Sequence, residues 1–270
     1  MKLSITAAET APAMAPFVLR GSYLEAIETA AQIGYDAVEL HPRDPEEVDQ
    51  RAILAFCQKK NIRISSLGTG LGYAMDQLSL TSPDERMREL AIERVCSHIR
   101  FAKESEAVVI IGLIKGLVKE SENYQAYENR LIESLNRCLD FAGKHQVTLV
   151  LEAINRFESD ALQSIESTAA FIRQFDSKLL KLHIDTFHIN IEESEIKGPI
   201  LRARDVLGHV HFADNNRMYP GKGFFDFKKV LDALKKADYQ GYIAMECLSL
   251  PSAEEAAQGA YTYIQKLLHD

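Results

Sequence analysis

Eight short apolar runs recur along the chain, each followed by a longer amphipathic stretch, and this alternation constrains the fold more than any other feature. The runs are rich in Val, Ile and Leu and nearly continuous in hydrophobicity, which is typical of parallel strands that are covered on both faces. The predicted strands are Leu3–Ala7, Ala37–Leu40, Ile62–Leu67, Val108–Gly112, Val147–Glu152, Leu180–Asp185, His209–Phe212 and Tyr242–Cys247.

The stretches between these runs indicate helices. A helix over Tyr23–Ile33 is expected to end at Gly34, and Ser82 is the predicted N-cap of a long helix that runs to about Glu104. The glycine-rich segment 68–72 lacks the spacing of a phosphate-binding turn and is interpreted as a flexible loop. The other predicted helices are Pro45–Lys60, Asn123–His145, Ser164–Phe175, Asp226–Ala237 and Ala253–Leu268, with two short turns at His188–Glu193 and Ile200–Val206.

This strict alternation predicts the α/β class with right-handed crossovers. Eight units in 270 residues fit a single (β/α)8 TIM barrel better than an open doubly wound sheet. A doubly wound sheet usually carries a glycine-rich phosphate turn after its first strand, and Glu9–Met14 contains no glycine. No linker rich in Pro, Gly or Ser divides the chain, so one TIM-barrel domain over residues 1–270 is expected.

Composition narrows the class of partner. The net charge of −8 argues against a nucleic-acid ligand, because binding to phosphates usually needs a basic excess, and it favours a small molecule. No apolar run is long enough to span a membrane, and no signal peptide opens the chain. The four cysteines show no metal or haem spacing and are interpreted as buried apolar residues. We therefore expect a cytoplasmic protein, for which a homo-oligomer is possible.

Four successive predicted strands end in a carboxylate or an imidazole. These residues are Glu152, Asp185, His211 and Glu246, spaced by about one strand–helix unit each. Barrel enzymes carry their active groups at the carboxyl ends of the strands, so the four side chains are expected to converge at one mouth. A single Glu in such a place more often caps a loop or pairs with Arg, but four in the same structural position point to a shared role.

Three converging carboxylates repel one another and lose hydration, and a divalent cation resolves this conflict. We therefore predict one divalent metal ion held by the four side chains. The combination of carboxylates with one imidazole suits Mn²⁺, Mg²⁺ or Co²⁺, which the residues alone do not rank. Mn²⁺ is the ion we expect, with Mg²⁺ or Co²⁺ as alternatives.

Other polar residues follow the predicted strands. Glu158, His188 and Arg217 lie in the loops beyond the fifth, sixth and seventh strands, where they could bind sugar hydroxyls or brace the metal ligands. Arg43 and Lys115 come just after the second and fourth strands and are candidates for binding an anionic group of the substrate. His183 and His209 share the inward face of a predicted ligand and are interpreted as packed or supporting groups.

Several of these motifs resemble the sugar isomerase/epimerase family of xylose-isomerase-like barrels. The similar segments are 151–158 (LEAINRFE), 184–188 (IDTFH), 209–217 (HVHFADNNR), 220–223 (PGKG) and 245–247 (MEC), and the resemblance covers nearly the whole chain. The sequence looks nearest to ketose 3-epimerases of the D-tagatose/D-psicose kind and to 5-keto-L-gluconate epimerase. Ala153 departs from the keto-acid branch, which tends to carry Pro there.

The resemblance implies roles for the candidate residues. The metal ligands would be Glu152, Asp185, His211 and Glu246. Of these, Glu152 and Glu246 would also form the catalytic acid–base pair. Glu158, His188 and Arg217 would contact the substrate.

The predicted activity is epimerisation of a keto-sugar or keto-sugar acid. One Glu would remove the proton next to the carbonyl, giving a metal-bound enediolate, and the other would return a proton on the opposite face. Proton return to the adjacent carbon would give an aldose–ketose isomerase of the hydroxypyruvate type instead. An inosose-type dehydratase would use the same site, and a non-catalytic sugar-binding protein is a further alternative. A nuclease of the apurinic-site kind would need more histidines than the first four strand ends offer.

Overall fold

The computed structural model describes residues 1–269, in which eight parallel strands close into a barrel. Each strand pairs in parallel with the next along the chain, and β1 also pairs with β8, which closes the sheet. A further strand of two residues, Leu19–Arg20, pairs with the end of β1. The barrel strands are β1 (Lys2–Ala8), β2 (Ala37–Leu40), β3 (Arg63–Gly68), β4 (Val108–Ile111), β5 (Leu149–Glu152), β6 (Leu180–Asp185), β7 (Leu207–Phe212) and β8 (Tyr242–Met245).

Helices surround the barrel and connect its strands, which confirms the predicted TIM-barrel fold. Short 3-10 turns occur at Pro45–Glu47, Leu113–Lys115 and Val118–Glu120. The helices are α1 (Tyr23–Ile33), α2 (Gln50–Lys60), α3 (Gly70–Asp76), α4 (Glu85–Ser105), α5 (Tyr124–His145), α6 (Ile165–Ile172), α7 (Thr186–Glu192), α8 (Lys197–Arg202), α9 (Phe227–Lys236) and α10 (Ala253–His269).

Two local predictions were wrong. The N-cap of α4 is Asp84 rather than Ser82, because the Asp84 carboxylate accepts the Arg86 N–H and lies at the positive end of the helix dipole. The glycine-rich segment 68–72 is not a loop throughout, since α3 begins at Gly70. Burial of Leu71 against Ala8 and Phe17 outweighs the poor helix propensity of glycine in this segment.

The core has two parts. Apolar side chains fill the layer between the strands and the surrounding helices, as expected for a parallel sheet covered by helices. Several side chains on the strands are buried but polar, including Thr6, Glu39, Ser66, His183 and His209. Glu39, Ser66 and His209 contact one another although β2 and β3 are not neighbours of β7, so these contacts run across the barrel interior. The fold therefore places a polar interior beneath the carboxyl ends of the strands.

None of the helices within residues 1–269 combines the length and the apolar character that a membrane crossing requires. The cysteines are buried and unpaired in this part of the chain, in agreement with their interpretation as small apolar residues; they are Cys57, Cys96, Cys138 and Cys247.

The buried His98 of α4 predicts a pH dependence of stability. Its Nδ1 lies 2.7 Å from the Arg94 carbonyl oxygen, and its Nε2 has no hydrogen-bond partner among residues 1–269. Burial lowers the pKa of His98 from 6.5 to about 4. Between these values the unfolded chain binds a proton that the folded chain does not, so the free energy of unfolding should fall as the pH drops from about 6.5 to about 4. This loss should be on the order of 3 kcal/mol.

Urea denaturation of metal-free protein across this pH range checks the prediction. The slope of stability against pH should be smaller for His98→Gln than for the wild type, whereas His269→Gln, at an exposed position, should keep the wild-type slope. Equal slopes for the wild type and His98→Gln would show that His98 does not titrate in this way.

Candidate active site

An open pocket of about 230 Å³ lies at the carboxyl ends of the barrel strands. Its polar lining includes candidate residues of the sequence analysis, namely Glu152, Glu158, His188, His211, Arg217 and Glu246. Its apolar lining includes Met14, Phe17, Leu71, Leu113 and Ile154. A concave site with a few convergent polar groups is the usual form of a small-molecule site.

Three of the four predicted metal ligands form one group. Ligand atoms of Glu152, Asp185 and His211 all lie within 4.8 Å of one another, and all three residues are buried. The fourth, Glu246, lies beside the group, with its Oε2 3.5 Å from His211 Nδ1. Strands β5 to β8 therefore bring the four side chains to one place.

Two buried atoms in this group lack hydrogen-bond partners within residues 1–269, and they are Asp185 Oδ2 and His211 Nδ1. Asp185 is the N-cap of α7, and its Oδ1 accepts the Phe187 N–H at 2.9 Å, which leaves Oδ2 for another partner. Buried polar atoms in proteins are almost always satisfied, so this pair is an exception that calls for an explanation. An oxygen and an aromatic nitrogen that face the same space beside a carboxylate fit a divalent cation.

Burial and neighbouring charges affect the two buried carboxyls of this group differently. Burial, followed by the negative charge of Glu246, raises the pKa of Asp185. Burial also opposes ionisation of Glu152, but the nearby His183 and His188 hold the pKa of this carboxyl well below its usual range. Burial and neighbouring charge thus shift the pKa values of these two carboxyls in opposite directions, and a bound cation would favour the ionised form of both.

A hydrogen-bond network fixes the orientation of His188. The Oδ1 atom of Asn155 accepts the Phe157 N–H, which sets the orientation of the Asn155 amide. Its Nδ2 then donates to His188 Nδ1 at 2.7 Å and to Glu158 at 3.0 Å. The hydrogen of the His188 ring is therefore on Nε2, which lies 3.6 Å from Glu152 Oε1. His188 thus presents an N–H donor to the pocket.

Arg217 is held by the loop after β7. The buried carboxylate of Asp214 accepts four backbone N–H groups of this loop, and Arg217 donates its own N–H to the Asp214 carbonyl oxygen. The Arg217 guanidinium stacks on Phe187 at 4.6 Å and donates to Glu158 Oε1 at 2.8 Å. It also approaches Glu246, with Nη2 3.9 Å from Oε2. The guanidinium therefore lies between two acids at the edge of the pocket.

The structure does not bring Arg43 or Lys115 to the pocket wall. Arg43 is exposed and pairs with Asp76. Lys115 is fully buried, and its Nζ lies 3.4 Å from the backbone oxygen of Glu152. Burial lowers the pKa of Lys115 to about 8. Both cations contact the protein itself, because a charge just past a strand can turn outwards or back into the barrel, and the sequence does not show which.

Two residues beside this cluster received no role in the sequence analysis. Glu39 of β2 is fully buried and contacts His41, His209 and His211. His41 lines the pocket and stacks against Phe17, with ring centroids 4.2 Å apart. Burial alone would raise the pKa of Glu39, but the histidines around it outweigh burial and hold that pKa well below its usual range. The available signal was a carboxylate in the middle of the apolar run 37–40 with an imidazole two residues later.

The fold and the buried carboxylate–imidazole cluster define a barrel enzyme whose strand ends are able to hold a divalent metal. The chain belongs to the xylose isomerase-like TIM barrel family, whose profile matches residues 27–267.

Similar proteins of known activity are sugar epimerases. The chain is 29% identical over 248 residues to L-ribulose 3-epimerase of Methylomonas sp. (strain DH-1), which covers 91% of this chain and 85% of the relative. It is 27% identical over 231 residues to D-psicose 3-epimerase of Agrobacterium fabrum, covering 82% and 77%. A solved L-ribulose 3-epimerase superimposes with a TM-score of 0.85 at 25% identity, over 99% of this chain and 94% of that one. Since epimerases are isomerases, the chain is classed as an isomerase.

Gly112, directly after β4, predicts a way to disturb the cluster. A Cβ atom at this position would lie 2.6 Å from Glu152 Oε2, so Gly112→Ala should push that carboxylate away from Asp185 and His211. Overpacking of this kind costs about 1–3 kcal/mol, so Mn²⁺ affinity should fall about 10-fold to 100-fold. Calorimetric titration with Mn²⁺ measures the change.

Gly70→Ala is the matched control, because a Cβ atom added there has no heavy atom within 4 Å. It should bind Mn²⁺ as tightly as the wild type. Equal affinity of all three proteins would contradict the expected displacement of the Glu152 carboxylate from the ion.

Proposed function

We propose that the chain is a divalent-metal-dependent ketose 3-epimerase that acts on a neutral, unphosphorylated keto-sugar. The observation that carries this proposal is the approach of Glu152 and Glu246 to one pocket from β5 and from the end of β8, with Asp185 and His211 between them. The similarity to L-ribulose and D-psicose 3-epimerases supports the choice of reaction and of carbon.

The ligands of the ion are proposed to be Glu152, Asp185, His211 and Glu246. When bound, a divalent ion acts as a Lewis acid that stabilises the negative charge developing on the substrate carbonyl oxygen. The unpartnered atoms of Asp185 and His211 are the feature of the structure that supports this assignment.

The two glutamates would exchange protons with the carbon next to the carbonyl. One carboxylate removes the proton, and the electron pair of the C–H bond moves towards the carbonyl. The other, as a carboxylic acid, delivers a proton to the opposite face, which inverts the carbon. In the reverse direction Glu152 and Glu246 exchange roles. Their positions on strands separated by β6 and β7 suit an approach from two sides.

The residues around the glutamates would orient the sugar. His188 offers the Nε2–H donor to a substrate oxygen, and Arg217 offers guanidinium N–H groups to a hydroxyl. Glu158, which accepts from Arg217, would accept a hydrogen bond from a second hydroxyl. The apolar lining residues would cover the carbon skeleton and exclude water, and they are Met14, Phe17, Leu71, Leu113 and Ile154.

Charge at the pocket favours a neutral sugar. Among the described residues that line it, Arg217 carries the single guanidinium or ammonium group, and Glu158 already pairs with it at 2.8 Å. Burying an unpaired anion in such a site is costly. A phosphate or carboxylate on the sugar would meet no unpaired Lys or Arg among the described lining residues, so we propose a neutral ketose over the keto-sugar acid.

Epimerisation and its loss in variants test the proposal. D-psicose, D-tagatose and L-ribulose incubated with enzyme and Mn²⁺ in D₂O should incorporate deuterium at C3 with inversion. EDTA should abolish the exchange and Mn²⁺ should restore it. Glu246→Gln should lower kcat by about 10²–10⁴ because a positioned base is removed. The readout is NMR of the sugar, with circular dichroism as the folding control.

Other outcomes would assign the protein differently. Migration of the carbonyl to the neighbouring carbon would make it an aldose–ketose isomerase, and loss of water would make it a dehydratase. No exchange with any of the sugars, with or without Mn²⁺, would contradict enzymatic epimerisation of these compounds.

A direct comparison of substrates tests the charge argument. Values of kcat/KM for a neutral ketose, its 6-phosphate and a keto-sugar acid should differ, with the neutral sugar ahead by at least about 100-fold, because the charged ones bury an uncompensated anion. A keto-sugar acid that reacts as fast as the neutral ketose would contradict the neutral-substrate assignment while leaving the epimerase chemistry in place.

A further inference from the structure

We propose that Glu39 is a positioning residue that holds His211 in the tautomer needed to bind the metal ion. The inference deepens the proposed function and rests on the metal site proposed there. Glu39 belongs to β2, and it does not line the pocket. It would act on the ion through His211.

Contacts around Glu39 are unusually dense for one carboxylate. Its two oxygens lie 2.7 Å from His41 Nε2, 2.7 Å from His209 Nε2 and 2.9 Å from His211 Nε2. The Ser66 hydroxyl donates to the same carboxylate. A carboxylate only accepts hydrogen bonds, so each ring nitrogen that faces it carries the hydrogen. The hydrogen of His211 is thus on Nε2.

The other nitrogen of the His211 ring faces the proposed ion. A neutral imidazole with its hydrogen on Nε2 has a lone pair on Nδ1. His211 Nδ1 is buried, has no hydrogen-bond partner among residues 1–269, and lies 3.5 Å from Glu246 Oε2. In the neutral ring this lone pair is available to an ion held with Glu152 and Asp185. Without Glu39, the ring could carry its hydrogen on Nδ1 and present an N–H to the ion.

Glu39 contacts two histidines of β7 from the opposite side of the barrel interior. His209, which also donates to Glu39, lies two residues before His211 on the same strand and does not line the pocket. The bonds from Glu39 to β7 cross the barrel interior, because β2 and β7 are not adjacent in the sheet. The barrel therefore fixes the His211 ring from the side opposite to the ion. Partners of this kind commonly set the orientation and basicity of a ligating histidine.

Metal affinity measured without substrate is the first test. Calorimetric titration should show that Glu39→Gln binds Mn²⁺ about 10-fold to 100-fold more weakly than the wild type. Glu39→Asp keeps the negative charge and should lie between the two. Ser66→Ala is the matched control, because it removes another donor to Glu39 and leaves the Glu39–His211 contact in place. It should stay within about threefold of the wild type, since the positioning bond remains.

A tautomer measurement on the wild type keeps the inference falsifiable if Glu39→Gln does not fold. In metal-free ¹⁵N-histidine-labelled protein, at a pH at which the ring is neutral, His211 should carry its hydrogen on Nε2, with a downfield, slowly exchanging signal. That signal should be absent from Glu39→Gln. A His211 hydrogen on Nδ1 would overturn the inference.

These measurements distinguish a failure of the role of Glu39 from a failure of the proposed metal site. A wild type that binds no Mn²⁺ would overturn the metal site and Glu39 as its positioning residue together. A wild type that binds Mn²⁺, with folded Glu39→Gln binding it equally well, would overturn the role of Glu39 alone. Neither measurement uses a sugar, so the identity of the substrate does not affect them.

Discussion

Buried negative charge at one mouth of the barrel is the constraint around which this site is organised. Glu152, Asp185 and Glu246 are nearly inaccessible to water, and burial of a carboxylate costs free energy unless a cation or hydrogen-bond donors compensate for it. Histidines compensate for Glu152, and Asp185 is left with an unpartnered oxygen. The side chains of the protein thus leave part of this buried negative charge without a partner. That is the expected condition of a site that binds a cation.

Three polar residues that line the pocket, His188, Arg217 and His211, are each supported by a buried polar residue. Asn155 turns His188 towards Glu152, the Asp214 carboxylate orders the loop that carries Arg217, and Glu39 contacts His211. Asn155, Asp214 and Glu39 are all buried, so the side chains that they hold have little freedom to rearrange. Such preorganisation limits the reorganisation needed when charge develops during a reaction.

Sequence patterns predicted the parts of the structure that depend on residues close together in the chain. The alternation of apolar runs predicted all eight barrel strands, and the polar residue at the end of a run identified Glu152, Asp185 and Glu246 as neighbours. Glu39 escaped because it lies inside the run 37–40, where its contacts depend on which residues face it across the closed barrel. The direction of the Lys115 side chain could not be predicted for the same reason, since tertiary packing decides where a side chain at a strand end points. Segment 70–76 is helical through burial of Leu71, which glycine-rich sequence does not reveal.

The proposed ligands are oriented by residues at different distances along the chain. This difference links metal binding to folding. Asp185 is oriented locally, because the same carboxylate caps α7 two residues later. His211 is oriented by Glu39, which is 172 residues away and reaches it only across the closed barrel. Closure in turn requires β1 to pair with β8. A barrel that is partly open therefore keeps the Asp185 oxygen but loses the fixed imidazole. An ion that needs both would bind the closed barrel in preference to other states and would stabilise it by mass action.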